Sequence, residues 1–243
     1  FITKTMKVKK ILLKDDKKFY WSKDDFHTQY GLIKENNLAK AKTGMIKTHL
    51  GKELLVMEAL FHDNLEKMKR GPAVILPKDV GLILTYSSID KNSIVMDAGT
   101  GSGMLAMFLA RFCKKVISYE KNPEFYKIAE ENMKSFEIKN VTIKNEDIYE
   151  NIKEKNLDLI VLDVPEPWKA LENVKKSLKP SHYLICYLPS INQVAQLMEN
   201  AQGFLHERTV ELIYREWQED VTRLRPKSQM IGHTGFLVFL RNI

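Results

Sequence analysis

The chain's architecture can be read outward from Ile94-Val-Met-Asp97-Ala-Gly99-Thr-Gly101-Ser-Gly103-Met104-Leu105. Its first three residues are apolar, as in a buried strand, and they run into a carboxylate. Three glycines follow at alternate positions, and apolar residues at helical spacing continue over 104–112. A strand, a glycine turn and a helix in that order open a parallel β-α-β unit. Glycine tolerates positive φ and lets a ligand approach the backbone, while the free N–H groups at the helix start face the bound molecule.

The same alternation continues on either side. Residues 77–86 begin with Pro and carry apolar residues at helical spacing, which predicts a helix just upstream. Downstream, further strands are expected at 116–119, 141–143, 157–162, 183–187 and 236–240. Asn122-Pro123 supplies an N-cap and a Pro at the first helical position for a helix reaching Phe136, with two more helices near 168–178 and 190–201. Repeated β-α-β units imply an α/β domain, a parallel sheet with helices on both faces, whose ligands bind beyond the carboxyl ends of the strands.

Before Arg70-Gly71-Pro72 the pattern is different. Short alternating runs such as Lys7-Val-Lys-Lys-Ile-Leu-Leu13 and Phe19-Tyr-Trp21 are broken by Asp15-Asp16-Lys17, Gly31, Gly44 and Gly51, which suggests a small β-rich module. The expected division is therefore 1–66 and 67–243. Residues 1–70 hold 16 Lys plus Arg against 9 Asp plus Glu, whereas 71–243 hold 22 of each, so the first segment carries the whole net charge of +7. Such a surplus suits a polyanion, with a merely solvated lysine-rich face as the alternative. No apolar run approaches the roughly 18 residues of a membrane span, and the start lacks the apolar stretch of a secretory signal, so the expectation is a cytoplasmic protein. Cys113 and Cys186 stand alone in apolar segments, which favours reduced thiols, and no metal-ligand cluster is visible.

The strand after the glycine turn ends in Glu120, 17 residues past Gly103, where a carboxylate can accept both hydroxyls of a ribose. A dinucleotide fingerprint would need Gly at Met104, and its absence disfavours an NAD enzyme. The acid followed by G-x-G-x-G instead resembles motif I of the class I methyltransferases, which bind S-adenosylmethionine. In such enzymes Asn145-Glu-Asp147-Ile148, after the third strand, is placed to hold the cofactor's adenine, although Asp147 also suits a solvated loop.

The strand Leu157-Asp-Leu-Ile-Val-Leu162 delivers Asp163 to the same sheet edge, and Val164-Pro165-Glu-Pro167-Trp168 stiffens its exit. Helix capping is the bland alternative for Asp163. Methylation of adenine N1 needs no base to free the nucleophile, because N1 already offers a lone pair. Positive charge moves from sulfur to the purine, and a fixed carboxylate that accepts a hydrogen bond from the N6 amino group stabilises it. Amino-adenine methyltransferases carry Asp or Asn followed by Pro-Pro and an aromatic, which fits Asp-x-Pro-x-Pro-Trp less well. Trp168 at a helix start reads as packing, and His233 beside Thr234 and Gly235 as a structural hydrogen-bonding group.

Taken together, Arg70-Gly-Pro72, Pro77-Lys-Asp79, the 97–103 loop, Tyr119-Glu120, Asp163-Val-Pro-Glu-Pro-Trp168, Tyr187-Leu-Pro189-Ser-Ile-Asn-Gln-Val194 and Gly232-His-Thr-Gly-Phe-Leu237 resemble the tRNA adenine-N1 methyltransferases acting on position 58 of the T-loop and, in archaeal relatives, sometimes also on position 57. The resemblance covers most of the chain. It implies a Rossmann-like class I methyltransferase domain after a small N-terminal β-barrel-like domain, a homotetramer, and tRNA as partner. Carried over residue by residue, it implies a cofactor loop of Gly99, Thr100, Gly101, Ser102, Gly103, Met104 and Leu105, with Glu120 on the ribose. Phe125, Asp147 and Ile148 lie near the cofactor, and Asp163 meets cofactor and target base. Some relatives have Gln after Arg-Gly-Pro and an aromatic before Pro-Lys-Asp, where this chain has Ala73 and Leu76. Arg70, Arg223, Arg225 and Lys227 are candidates for gripping RNA phosphates, with subunit contacts as the alternative for the last three. A noncatalytic tRNA-binding subunit would be expected to lose the glycine loop, and an isoaspartyl or small-molecule methyltransferase would leave the basic first module without a purpose.

Overall fold

The computed structural model of the chain describes residues 6–69, 71 and 74–243. They form two compact units, Phe1–Lys69 with Lys134–Glu137, and Arg70–Met133 with Ile138–Ile243.

The first unit is built from β1 (Lys10–Lys14), β2 (Lys17–Trp21), β3 (Phe26–Thr28), β4 (Gly31–Ile33), the short helix α1 (Glu35–Lys40), β5 (Gly44–Lys47), β6 (Glu53–Glu58) and the single helical turn α2 (Phe61–Leu65). Every pairing is antiparallel. The order is β2-β1-β6-β5 in one sheet, and β3 pairs with β4 in another. No continuous ladder closes these sheets into a barrel among the described residues. His49, just beyond β5, joins them instead: its amide donates to Leu32 O at 2.9 Å and its ring accepts Leu32 N at 2.8 Å. Leu12, Trp21, Ile33, Leu38, Leu54 and Val56 are the buried core, ringed by Phe19, Phe26 and Tyr30. Helices α1 and α2 have no strong sequence signal, being too short to show a helical period.

The second unit begins with α3 (Pro77–Tyr86), which has Pro at its first position, Asp79 in its first turn and Val80 and Ile83 buried. Strands and helices then alternate through β7 (Ile94–Ala98), α4 (Met104–Leu109), β8 (Lys115–Tyr119), α5 (Pro123–Ser135), β9 (Val141–Lys144) and β10 (Leu157–Leu162). A 3-10 turn at Pro167–Ala170 leads into α6 (Leu171–Ser177), β11 (Leu178–Leu188), α7 (Ile191–Asn200), β12 (Phe204–Val210) and β13 (Phe236–Asn242). The sheet order is β12-β13-β11-β10-β7-β8-β9. Six strands run in one direction, five of them paired in parallel, and β13 lies antiparallel between β11 and β12. The sheet is therefore mixed rather than wholly parallel, and β12 escapes sequence reading because its middle, His206 to Thr209, is a polar run at a sheet edge with no period-two pattern.

Both faces of the sheet are covered. On one, Met96, Ala98, Ile160, Leu162, Cys186 and Leu240 pack with Leu171 and Val174 of α6 and Val194 and Leu197 of α7. On the other, Phe239 is fully buried with Tyr86 of α3 edge-on at 5.6 Å. From β7 the chain builds outward to β8 and β9, then returns to the other side of β7 as β10. The carboxyl ends of β7 and β10 thus flank the point where the winding reverses, which is where open α/β sheets bind ligands.

Candidate active site

Glycine makes this point accessible. Gly99, Gly101 and Gly103 have φ of 90°, 54° and 85°. A Cβ on Gly99 would lie 2.0 Å from the carbonyl oxygen of Asp163, so the exits of β7 and β10 approach as closely as two backbones can. The Asp163 amide donates to Ala98 O at 2.8 Å and fastens the same junction. A Cβ on Gly103 would meet Met133 Cε at 2.7 Å, so this glycine serves the packing of α4 against α5.

Two clefts open at the junction. The larger, about 200 Å³, is lined by Gly99, Gly101, Glu120, Phe125, Asp147, Ile148, Tyr149, Asp163, Val164 and Pro165 among others. The smaller is lined by Val74, Ile75, Asp97, Gly99, Thr100, Ser102, Met104, Leu105 and Asp163. Gly99 and Asp163 line both clefts. Apart from Gly103, the residues expected at the cofactor all line one cleft or the other. Arg70 lies outside the described residues, as do Pro72 and Ala73. Arg223, Arg225 and Lys227 are exposed on the long segment between β12 and β13 and line neither cleft. Arg225 Nε donates to Gln218 Oε1 at 3.1 Å, and Lys227 pairs with Glu216 at 2.5 Å.

Glu120 is held by backbone: Gly101 N donates to Oε2 at 2.9 Å and Asn122 N to Oε1 at 2.8 Å. The cap of α5 is part of this bracket, since Asn122 Oδ1 in turn accepts Glu124 N at 2.8 Å. Asp147 Oδ1 accepts Tyr149 N at 3.0 Å, which turns the chain at the rim. The Asp163 loop is pinned from outside by Gln193 Nε2, which donates to Pro165 O at 3.0 Å, and by Glu166 N, which donates to Tyr149 Oη at 3.1 Å. Trp168 packs against the core and is not at the cleft. Both ring nitrogens of His233 have partners, Glu211 Oε1 at 2.5 Å and Pro189 O at 2.8 Å, and the Glu211 carboxylate raises its pKa. This is the structural role expected of it.

Tyr149 and Tyr187 had no expected role. Tyr187 lies one residue beyond Cys186, the β11 partner of Leu162, and so stands beside Asp163 across the sheet. Gly235 leaves room for its ring, since a Cβ there would be 2.6 Å from Tyr187 Cζ. Burial raises the Tyr187 hydroxyl, with Asp79 and Asp163 adding to the effect. No spacing rule marks such a residue, because its nearness to Asp163 depends on strand order.

The electrostatics are unusual for carboxylates. Burial first, then the charges of Asp97 and Glu120, push Asp163 up to about 7. Burial raises Asp97 to about 6 against the opposing hydrogen bond from Ser118. Asp97 Oδ2 accepts that hydroxyl at 2.6 Å, while Oδ1 is buried with no partner. A buried acceptor without a donor, beside a glycine cradle and a ribose-competent carboxylate, suits a cationic nucleoside ligand carrying an ammonium or sulfonium.

Comparison with known proteins agrees with this chemistry. The family described as tRNA methyltransferase complex GCD14 subunit matches residues 65–224. The tRNA (adenine(58)-N(1))-methyltransferase TrmI of Thermus thermophilus is 38% identical, covering 89% of this chain and 88% of its own length. The tRNA (adenine(57)-N(1)/adenine(58)-N(1))-methyltransferase TrmI of Methanocaldococcus jannaschii is 34% identical, covering 90% and 88%. A crystal structure described as a SAM-dependent O-methyltransferase from Thermotoga maritima superimposes with a TM-score of 0.86 at 30% identity, covering 100% of this chain and 96% of that one.

The raised pKa of Asp163 carries a stability consequence. The folded chain binds this proton more tightly than the unfolded chain, whose Asp titrates near 3.8. The associated stability is fully present below about pH 4 and is lost as pH rises through about 7. Asp163→Asn, with no charge to desolvate, is expected to melt higher than the unsubstituted ligand-free chain at pH 8. Each kcal/mol corresponds to about 2–4 °C in a chain of this size. The gain should shrink toward pH 4 in thermal denaturation, and a difference independent of pH would contradict the assignment.

Proposed function

The chain belongs to the tRNA methyltransferase complex GCD14 subunit family, and from that premise we propose that it transfers a methyl group from S-adenosylmethionine to N1 of adenine 58 in the T-loop of tRNA. Adenine 57 is a second candidate target, after the name of the archaeal relative. The observation that carries the reading is Asp163, a pinned and largely desolvated carboxylate shared by the two clefts. The chain keeps the glycine loop, Glu120 and Asp163, which supports an enzyme over a noncatalytic subunit.

In this reading Gly99, Thr100, Ser102, Met104 and Leu105 border the methionine end of the donor. Glu120 takes the ribose hydroxyls, and Phe125, Asp147 and Ile148 enclose the adenine. When bound, the donor supplies an electrophilic methyl on a positively charged sulfur. Asp163 accepts a hydrogen bond from the N6 amino group of the target base and so favours the ring cation that forms as N1 is alkylated. The rigid loop at Asp163 holds the base in line, which contributes through orientation. The target adenine must leave the folded T-loop to reach the cleft. The Thermotoga relative's name raises O-methylation as a second reading, since Asp163 near neutrality is also suited to take a proton from a hydroxyl.

The first unit supplies a surface for RNA, because lysines alternate there with aromatic rings. Lys14 sits over the half-buried Tyr30 at 5.5 Å and Lys67 over the half-buried Tyr20 at 4.2 Å, while Lys9 lies over the buried Trp21 and offers charge alone. Arg70, Arg223, Arg225 and Lys227 remain proposed phosphate contacts. The segment between β12 and β13 folds back on itself through Gln218 N to Arg225 O and Lys227 N to Glu216 O, at 2.8 and 2.9 Å. It leaves Ile213, Tyr214, Trp217, Val221, Leu224 and Ile231 exposed. Such apolar exposure suits contact with further copies of the chain, in keeping with a homotetramer. With tRNA as substrate, the site of action is the cytoplasm.

Incubation with labelled S-adenosylmethionine and unmodified tRNA transcript, mapped by mass spectrometry, should place the label on N1 of adenine 58. Label on a ribose oxygen would favour the second reading. Asp163→Ala should lower the single-turnover rate at least about tenfold, or about 1.4 kcal/mol in barrier, with tRNA affinity retained. Replacing Lys9 and Lys14 with Glu should weaken tRNA binding and flatten its salt dependence by about one unit of slope for each phosphate no longer neutralised; an unchanged slope would remove the first unit from the RNA interface. Trp217→Glu with Leu224→Glu should reduce the mass seen by light scattering, and an unaltered oligomer would exclude the exposed segment as its interface.

A further inference from the structure

Three carboxylates crowd the carboxyl ends of three adjacent parallel strands: Asp97 on β7, Glu120 after β8 and Asp163 after β10. Asp97 is 1% exposed and its Oδ1 has no partner, while both Glu120 oxygens are occupied by backbone amides. Among the described residues, no Lys, Arg or His forms an ion pair with any of the three. The other charged or titratable groups facing them are few. Lys121, Glu146 and Asp147 line the rim of the larger cleft, with Lys121 drawn over the Tyr149 ring at 5.6 Å. Tyr187 stands beside Asp163. Lys78, on α3, is spent on its neighbour Asp79 at 2.8 Å and on Thr234 at 2.8 Å. Two carboxylates so placed, one buried and one half-buried, titrate as a pair rather than singly.

We propose that Asp97 and Asp163 hold a proton between them while the cleft contains no cation, and release it to solvent when the positively charged methyl donor is bound. This rests on the donor reading given above. In the step, a carboxyl O–H bond breaks, its electron pair stays on oxygen and the proton passes to the buffer; nothing is oxidised or reduced. The upward displacement of both acids points the same way. Asp163 becomes a full carboxylate, the better acceptor for the N6 amino group, only in the donor-loaded chain. Methyl transfer moves the positive charge onto the base beside Asp163, so the carboxylate stays ionised through the reaction and regains its proton once the methylated base and the uncharged-sulfur product have left.

Calorimetry on the full chain tests this without catalysis. S-adenosylmethionine is titrated at pH 7 in buffers of different ionisation enthalpy, and the slope of observed heat against that enthalpy counts protons. With Asp163 at about 7, the unsubstituted chain should release about half a proton more than Asp163→Asn, and more with S-adenosylmethionine than with the uncharged-sulfur product S-adenosylhomocysteine. Ionisation of the ligand's own amine is common to chain and variant and cancels in the difference. Between pH 7 and pH 6 the donor's Kd should rise several-fold, by at most about tenfold for one linked proton, and less in the variant. Should Asp163→Asn fail to fold, Asp97→Asn should lose proton release in the same way. Equal slopes for chain and variant, or for the two ligands, would overturn the inference while leaving donor binding intact. Absence of any binding heat with S-adenosylmethionine would instead remove the donor reading, and this inference with it.

Discussion

At residue 99 a hydrogen atom is all that fits, because the carbonyl oxygen of Asp163 occupies the space a Cβ would need. That contact ties the loop leaving β7 to the loop leaving β10, and the rest of the site depends on it. It brings a glycine turn and a carboxylate from residues more than sixty positions apart to the junction of two clefts. Any side chain at 99 would push the two exits apart and move Asp163, and in the proposed reaction small displacements of this kind are costly because orientation contributes to the rate. The Asp163 amide bonded to Ala98 O fixes the same junction by polarity where the glycine fixes it by space.

The acids gathered there carry a stability cost, which the proposed function turns to use. Asp97 is buried and Asp163 partly buried at neighbouring strand ends without a cationic side chain among the described residues to balance them, so both titrate above the usual carboxylate range. A ligand with permanent positive charge relieves that imbalance. A protein that supplied its own lysine would be more stable and would bind such a ligand less well. Strain and unsatisfied polarity of this kind accumulate where a fold does work on a partner. The surroundings are correspondingly rigid: Glu120 is bracketed by two backbone amides, and the 163–167 loop is held by Gln193 and Tyr149.

Much of this was legible in the residues. The glycine triplet, Pro77 and Asn122-Pro123 announce their elements through local stereochemistry, and α3 and α5 start where those residues place them. Segments whose character comes from long-range contact were not legible. Strand β12 carries a polar run at a sheet edge, the antiparallel direction of β13 is set by its neighbours rather than by its residues, and α1 and α2 are too short to show a period. Tyr187 reaches the site because β11 neighbours β10, and Gly103, grouped in sequence with the cofactor loop, turns out to make room for Met133.

Sequence alone determined the kinds of element, the turn that can approach a nucleoside and the acids able to meet it, because backbone freedom, capping and side-chain chemistry are properties of a residue and its near neighbours. Tertiary structure alone decided that Asp97, Glu120 and Asp163 share one poorly solvated corner, and hence what their charge costs. The energy of a buried carboxylate is set by which groups surround it, and strand order, unlike spacing along the chain, chooses those groups.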